Sequence, residues 1–294
     1  MTTVLVTGAT GFVGRRLVPE LVERGHAVRA MTRRPDAYDG PGEAVAGDVH
    51  DPASLERALA GVDVAVYLVH SLDDDDFERK DAEAATAFGR AAAGADVRQI
   101  VYLGGLGADA DDLSAHLRSR REVERLLGEA GVPVTVLRAA IVVGAGGISW
   151  EMTRQLVKNL PAMVVPRWAA TRTQPIAISD VVRYLAGVVD VPQALGRVYE
   201  IGGADRLSYV EMLQQASQVM NGRTARVVQV PVLTPKLSSY WISFVTNVDV
   251  TTGRNLIDSM GTEVIVTDDA IRELVPGEPL TYTQAVEAAI RESA

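Results

Sequence analysis

The stretch Val4-Leu5-Val6-Thr7-Gly8-Ala9-Thr10-Gly11-Phe12-Val13-Gly14 constrains this chain more than any other. Three glycines, each three positions after the last, lead from an apolar run, Thr3 to Thr7, into an amphipathic stretch, Val13 to Arg24. A buried strand that passes at once into a helix needs a tight turn, and each glycine has its own use there. Gly8 permits the bend, Gly11 lets backbone N–H groups approach a pyrophosphate, and Gly14 lets the helix lie close on the strand. The positive end of the helix then faces the phosphates. Three glycines alone usually mean only a turn. With the strand before them and the helix after them, a dinucleotide site is the expectation.

The rest of the first half repeats this strand and helix alternation. Apolar runs at Ala27 to Thr32, Ala44 to Ala46, Val64 to Val69, Gln99 to Leu103 and Val134 to Leu137 read as buried parallel strands. Between them lie helical patterns at Pro52 to Ala60, Phe77 to Ala93 and Ala115 to Ala130, the last closing at Gly131 before Pro133. Right-handed crossovers then place helices on both faces of one sheet, which predicts a Rossmann-type doubly wound α/β domain over residues 1–138. After Arg138 the order is less regular, as in Gly144-Ala145-Gly146-Gly147 and Pro161 to Pro166. With no polar linker between the halves, residues 139–294 are expected to form a smaller substrate lobe packed on the sheet and partly interleaved with it. The acidic run Asp73 to Asp76 reads as a solvated loop.

Composition removes several function classes. Among 294 residues, 29 basic against 38 acidic side chains give a net charge of -9, which opposes binding to nucleic acid. There is no cysteine, hence no disulfide and no thiolate site, and the four histidines at 26, 50, 70 and 116 follow no metal-binding spacing, so no metal is expected. The N-terminus carries no signal-like pattern and no apolar run is long enough to span a bilayer, so a cytoplasmic protein is expected.

Thr7-Gly8-Ala9-Thr10-Gly11-Phe12-Val13-Gly14 resembles the fingerprint of extended and atypical short-chain dehydrogenases/reductases. Further matching stretches are Gly47-Asp48-Val49, Leu137-Arg138, Pro175-Ile176-Ala177-Ile178-Ser179-Asp180-Val181 and Val198-Tyr199-Glu200-Ile201-Gly202-Gly203. Within that superfamily the chain is most similar to the NmrA-like NAD(P)H-binding group. It shares Leu68-Val69-His70-Ser71 and His116-Leu117-Arg118 with the bacterial YbjT-like proteins. The resemblance implies a pyrophosphate held by Gly8, Thr10, Gly11, Phe12, Val13 and Gly14. It also places Asp48 and Val49 beside the adenine, Leu68, Val69 and His70 beside the ribose and nicotinamide, and the Pro175 to Val181 stretch at a substrate-lobe strand and helix start.

The second strand decides which nicotinamide cofactor is expected. A carboxylate at its end would chelate the ribose hydroxyls and favour NAD, whereas an arginine would pair with a 2′-phosphate. The strand ends Ala30-Met31-Thr32-Arg33-Arg34-Pro35, with no carboxylate before Asp36. The planar, permanently charged guanidinium suits a phosphate, so NADP is expected over NAD, with Arg33 ahead of Arg34 as the contact.

Catalytic residues are where the chain departs from the resembled family. That family uses a serine near the end of the fifth strand and a Tyr-x-x-x-Lys on the next helix. Here the strand reads Val101-Tyr102-Leu103-Gly104-Gly105-Leu106, and the helix register puts His116 at the tyrosine position and Arg120 at the lysine position. Histidine can act as a general acid near neutral pH, while Arg120 could hold the ribose as that lysine does but cannot be deprotonated and disfavours a charged imidazole beside it. The alternative is that His116 is an ordinary helix residue. His70 and Ser71 are the second-choice polar groups at the crevice, and Tyr102 is expected in the core. Pro166-Arg167-Trp168 and Tyr240-Trp241-Ile242-Ser243-Phe244-Val245 suggest an apolar ligand pocket. The second of these also suits a membrane surface or a dimer contact. The expected function is an NADP(H) oxidoreductase acting on a small apolar carbonyl or quinone-like substrate. Its alternative is a non-catalytic NAD(P)-binding redox sensor. A small-molecule ligand is the expected partner in either case.

Overall fold

A computed structural model describes residues 1–71, 74, 76–107, 113–160, 162–230 and 260–293, with the side chains of residues 167, 168, 229 and 230 outside the description. Seven strands make the central sheet: β1 (Thr3–Val6), β2 (Ala27–Thr32), β3 (Glu43–Ala46), β4 (Val64–Tyr67), β5 (Gln99–Gly105), β6 (Val134–Ala139) and β11 (Val198–Ile201). They lie in the order β11-β6-β5-β4-β1-β2-β3, and every pairing is parallel. Strand order reverses between β1 and β4, so the crossovers leave in opposite directions there and open a crevice at the carboxyl ends of the two strands.

The apolar runs divide between the two faces with the period of two that an extended chain requires. Val4 and Val6 of β1, Val64 and Val66 of β4, and Val101 of β5 enter one core together with Leu17, Val18 and Leu21 of α1 (Gly14–Glu23). Leu5, Ala65, Tyr67, Ile100 and Tyr102 enter the opposite core with α2 (Pro52–Leu59), α3 (Phe77–Gly94) and α4 (Ala115–Gly128). Helices therefore cover both faces. The close approach of α3 and α4 depends on Gly89, where a Cβ would come within 2.7 Å of the Leu127 carbonyl oxygen.

Later segments are β7 (Val142–Val143), α5 (Ile148–Asn159), β8 (Ala162–Pro166), β9 (Arg172–Thr173), β10 (Ile176–Ala177), α6 (Ile178–Gly187), β12 (Leu207–Ser208), α7 (Tyr209–Asn221), β13 (Arg226–Val230), α8 (Ile271–Leu274) and α9 (Tyr282–Ser293). Residues 162–166, expected from the sequence to be irregular between two prolines, form a strand that pairs in parallel with β13. Trp150, Met152, Leu156, Met212, Leu213, Tyr282 and Val286, from α5, α7 and α9, build a third core away from the sheet. The stretch from Pro175 is corrected in one respect. Its helix α6 does not belong to this third core but packs Val181, Val182 and Leu185 beneath the sheet beside α1. Strand β11 likewise returns to the sheet, alongside β6. Among the described residues, no helix is long and apolar enough to cross a membrane.

Candidate functional site

The turn after β1 is fixed by Thr7. Its backbone N–H donates to Val66 O at 2.9 Å and its hydroxyl donates to the same oxygen at 3.2 Å, while that hydroxyl accepts from Leu68 N at 2.9 Å. These bonds tie the end of β1 to the end of β4 across the crevice. Gly8 comes next with φ +63°, a left-handed conformation that a side chain would strain. A Cβ on Gly14 would lie 2.2 Å from Gly8 O and 2.7 Å from the Ala9 Cα, so only glycine lets α1 start this close to the loop. At Gly11 the nearest atom to an added Cβ is Gly8 O at 3.1 Å, and the residue is exposed to the crevice.

A cavity of about 850 Å³ runs from this loop along the carboxyl ends of the strands. It gathers the cofactor and catalytic candidates expected from the sequence: Gly8, Thr10, Gly11, Phe12, Val13, Gly14, Arg33, Arg34, Asp48, Val49, Leu68, Val69, His70, Ser71, His116 and Arg120. A cavity of this size suits a dinucleotide, and the glycine loop supplies a cradle in which no Cβ intrudes. Arg33 and Arg34 are exposed at its rim, directly after β2, and among the described residues neither guanidinium is held in an ion pair or a hydrogen bond. Asp48 is shaped by its own turn. Its carboxylate accepts from His50 N at 2.9 Å, and its backbone N–H donates to Ser54 Oγ at 3.0 Å.

The other end of the cavity is set by α4. Ser114 caps the helix, its hydroxyl accepting from Leu117 N at 3.3 Å. His116, Arg120 and Glu124 stand at intervals of four, so they share one helix face. Glu124 fixes the helix against the sheet through a bidentate pair with Arg138 at the end of β6, with Nη2 to Oε1 at 2.8 Å and Nε to Oε2 at 3.1 Å. That anchor carries His116 and Arg120 to the crevice. Burial lowers the pKa of His116 to about 3, and the charge of Arg120 pushes in the same direction. His70 lines the cavity wall. Desolvation in the cleft, then Arg120, then His116 all hold its pKa below the ordinary imidazole value. Both rings are therefore neutral at physiological pH. Ser71 N donates to Asp81 Oδ1 at 2.9 Å, which closes the loop after β4 against α3.

Several lining residues lie outside the expectations drawn from the sequence. Leu103, Gly104, Gly105 and Leu106 come from β5 and the turn after it, and Ala139, Ala140, Ile141 and Val142 from the end of β6 onward. Gly146, Gly147, Ile148, Ser149, Tyr209, Met260 and Val264 come from the segments above the sheet. The one signal that points to them is position, since a crevice at the carboxyl ends of β5 and β6 must collect the residues that leave each strand. Phe12 links the two walls. Its ring packs where a Cβ on Gly147 would come within 2.7 Å, and the Arg16 guanidinium lies 4.9 Å from the ring centroid. Arg15 and Arg16 both donate to Ala145 O, at 2.9 and 2.7 Å, and Arg16 also pairs with Glu292 of α9.

Tyr102 is fully buried, its hydroxyl donating to Arg120 O at 3.4 Å, which is a core position. The Trp168 side chain and the Tyr240 to Val245 stretch lie outside the described residues.

Residues 8–168 match the model of a family described as NAD(P)H-binding. A Streptomyces griseus subsp. griseus protein, (4-alkanoyl-5-oxo-2,5-dihydrofuran-3-yl)methyl phosphate reductase, is 33% identical over 235 residues, covering 76% of this chain and 75% of that one. Among solved structures, the Escherichia coli NADPH-dependent quinone oxidoreductase complexed with NADPH superposes with a TM-score of 0.80 at 20% identity, over 97% of this chain and 98% of the other. The Citrobacter sp. triphenylmethane reductase complexed with NADP(H) gives 0.79 at 18% identity, over 97% and 99%. The two structural likenesses are likenesses of fold.

Proposed function

Because the chain belongs to the NAD(P)H-binding family, we propose that it is a reductase using NADP(H) on a small, largely apolar carbonyl or quinone-like substrate. One observation carries this reading. A single cavity joins a glycine loop and two unengaged arginines at one end to an apolar wall around two neutral histidines and Arg120 at the other. The relative from S. griseus is named a reductase, and the two structural neighbours are named an oxidoreductase and a reductase, the three acting on unlike substrates.

When bound, the nicotinamide supplies a hydride. The protein's part is to place the groups around it. The N–H groups of the Gly8 to Gly14 loop and the start of α1 hold the pyrophosphate. Arg33 pairs with the 2′-phosphate and gives the preference for NADP over NAD, while Asp48 and Val49 border the adenine and Leu68, Val69 and His70 the ribose and nicotinamide. Leu103, Leu106, Ile141, Ile148, Met260 and Val264 keep water from the reacting end. His116 replaces the missing tyrosine as a neutral hydrogen-bond donor to the substrate oxygen rather than as a charged acid, since protonating its ring beside Arg120 is unfavourable. The proton finally taken up by the product comes from water.

The test is NADPH oxidation by the wild type with a panel of quinones, aldehydes and enones. Turnover is expected on at least one of them, with kcat flat between pH 5 and pH 8. His116→Ala should lower kcat by about 10² to 10³, the worth of one donor to a developing oxyanion, with NADPH affinity nearly unchanged. A second reading is favoured by Gly104, Gly105 and Arg120 standing where the family's serine and lysine would be. In it the protein binds the cofactor and reports redox state without turning it over. Tight NADPH binding with no turnover on the whole panel selects that reading.

A further inference from the structure

Arg120 is a permanent cation lining the cavity at the end away from the glycine loop, and among the described residues no carboxylate is in ion-pair contact with its guanidinium. Its aliphatic stem runs across Gly105, where an added Cβ would lie 3.6 Å from Arg120 Cγ and 2.8 Å from Leu117 Cδ2. The missing side chain at residue 105 makes room for Leu117, and the Arg120 stem lies against it at ordinary contact distance. Among the described residues, no carboxylate forms an ion pair with that guanidinium, and the Tyr102 hydroxyl near it carries no charge. Asp81 feels the Arg120 charge, but its Oδ1 accepts from Ser71 N and the two side chains are not in ion-pair contact. The polar neighbours on the cavity side are His70 and His116, both neutral and both made so partly by Arg120. The other cavity-lining cations, Arg33 and Arg34, lie after β2 at the opposite end. A guanidinium among apolar walls with no carboxylate in contact among the described residues holds an entering anion more strongly than water does.

We propose that Arg120 receives an anionic oxygen of the substrate, so that the substrate is an apolar carbonyl compound carrying one carboxylate or phosphate. This rests on the function proposed above, with the apolar body against Leu106, Ile141, Met260 and Val264 and the anion at the guanidinium. It assigns Arg120 to substrate selection rather than to the cofactor ribose.

Calorimetric titration of benzoate, phenyl phosphate and benzamide, with and without NADP⁺, tests it. The charged probes share the benzamide ring, so the comparison isolates the anion. Benzoate or phenyl phosphate should bind the wild type about 10- to 100-fold more tightly than benzamide, the factor expected of a charge-assisted pair. Whichever binds more tightly distinguishes carboxylate from phosphate. Arg120→Gln should abolish the preference and leave NADP⁺ affinity within about threefold, while Arg120→Lys should retain part of the preference. The proposal is overturned if the wild type binds benzamide as well as the anions or binds no anion at millimolar concentration. It is overturned equally if Arg120→Gln keeps the preference or loses NADP⁺ binding instead. Failure of the wild type to bind NADP⁺ would count against the cofactor reading alone, because the anion preference is read in the cofactor-free titration as well.

Discussion

Replacing Gly14 by alanine should damage the fold, whereas replacing Gly11 by valine should damage only the site. An alanine Cβ at residue 14 would lie 2.2 Å from Gly8 O, 2.9 Å from Gly8 C and 2.7 Å from the Ala9 Cα. All three are backbone atoms, so no side-chain rotation relieves the overlap and α1 must retreat from the loop. That helix carries Leu17, Val18 and Leu21, each at 0% exposure, into the core under the sheet. Overpacking of a filled core costs about 1 to 3 kcal/mol, and an obstacle made of backbone puts this case at roughly 2 to 3. At about 2 to 4 °C per kcal/mol, the apo Tm should fall by about 4 to 12 °C. Gly11 is exposed, and its nearest obstacle, Gly8 O at 3.1 Å, asks only a small adjustment. Gly11→Val should therefore leave the apo Tm within about 2 °C, while its side chain occupies the phosphate cradle. The assay is thermal unfolding with and without NADPH. At a hundred times Kd the cofactor should stabilise the wild type by about 2.7 kcal/mol, and it should not stabilise Gly11→Val at all. An unchanged apo Tm in Gly14→Ala would refute the packing argument, and retained cofactor stabilisation in Gly11→Val would refute the role of the loop.

Arg33→Asp should reverse the order of NADPH and NADH affinity in a fluorescence titration, by about tenfold to a hundredfold, and equal affinities in the wild type would remove Arg33 from the site. Glu124→Gln strips a mostly buried pair with Arg138 and should cost about 1 to 3 kcal/mol in urea unfolding; a loss no greater than that of an exposed pair would mean that α4 is held by other contacts. His116 has a folded pKa below its unfolded value, so the folded state binds fewer protons between about pH 6.5 and pH 3 and stability declines as pH falls through that window. His116→Asn should flatten the decline by up to about 1.4 kcal/mol per pH unit, and an unaltered slope between pH 6.5 and pH 4.5 would show that the ring does not have a depressed pKa.

What is legible in the sequence is local. Val4, Leu5 and Val6 form one unbroken apolar run because a central parallel strand is covered on both faces, and such a run announces itself without knowledge of the rest of the chain. The glycine loop is legible for the same reason, its strand, turn and helix being contiguous. Strand β5 reads two residues short in the sequence because Gly104 and Gly105 are poor strand formers, yet they pair with Arg138 and Ala139 in the ladder. Propensity yields there to tertiary pairing. Strand β11 lies in a stretch that matches the resembled family, but its place in the sheet is not legible, since its partner Val136 lies some sixty positions earlier and no local pattern encodes that contact. The cavity-facing residues after β6, and Tyr209, Met260 and Val264, escape sequence reasoning because their convergence depends on how the later segments fold over the sheet. The His116 and Arg120 register is legible. The neutrality of His116 is only half so, because the Arg120 charge can be read from the helix spacing but the depth of burial cannot.

The return of β11 to the sheet has a consequence for how the molecule can be taken apart. Residues 198–201 hydrogen-bond to β6 only after the chain has gone through α5, β8 and α6, and Arg16 reaches forward to Ala145 and Glu292. A fragment ending at residue 138 would keep the glycine loop yet stop one residue short of the end of β6. It would also leave that strand as a bare edge, with the Tyr199 and Ile201 side of the core open. Such a fragment should aggregate rather than bind, and the intact chain should melt in one cooperative step instead of two. The contiguous dinucleotide signature is therefore not expected to work as a detachable module, because the partner that completes its sheet lies some sixty residues further along the chain.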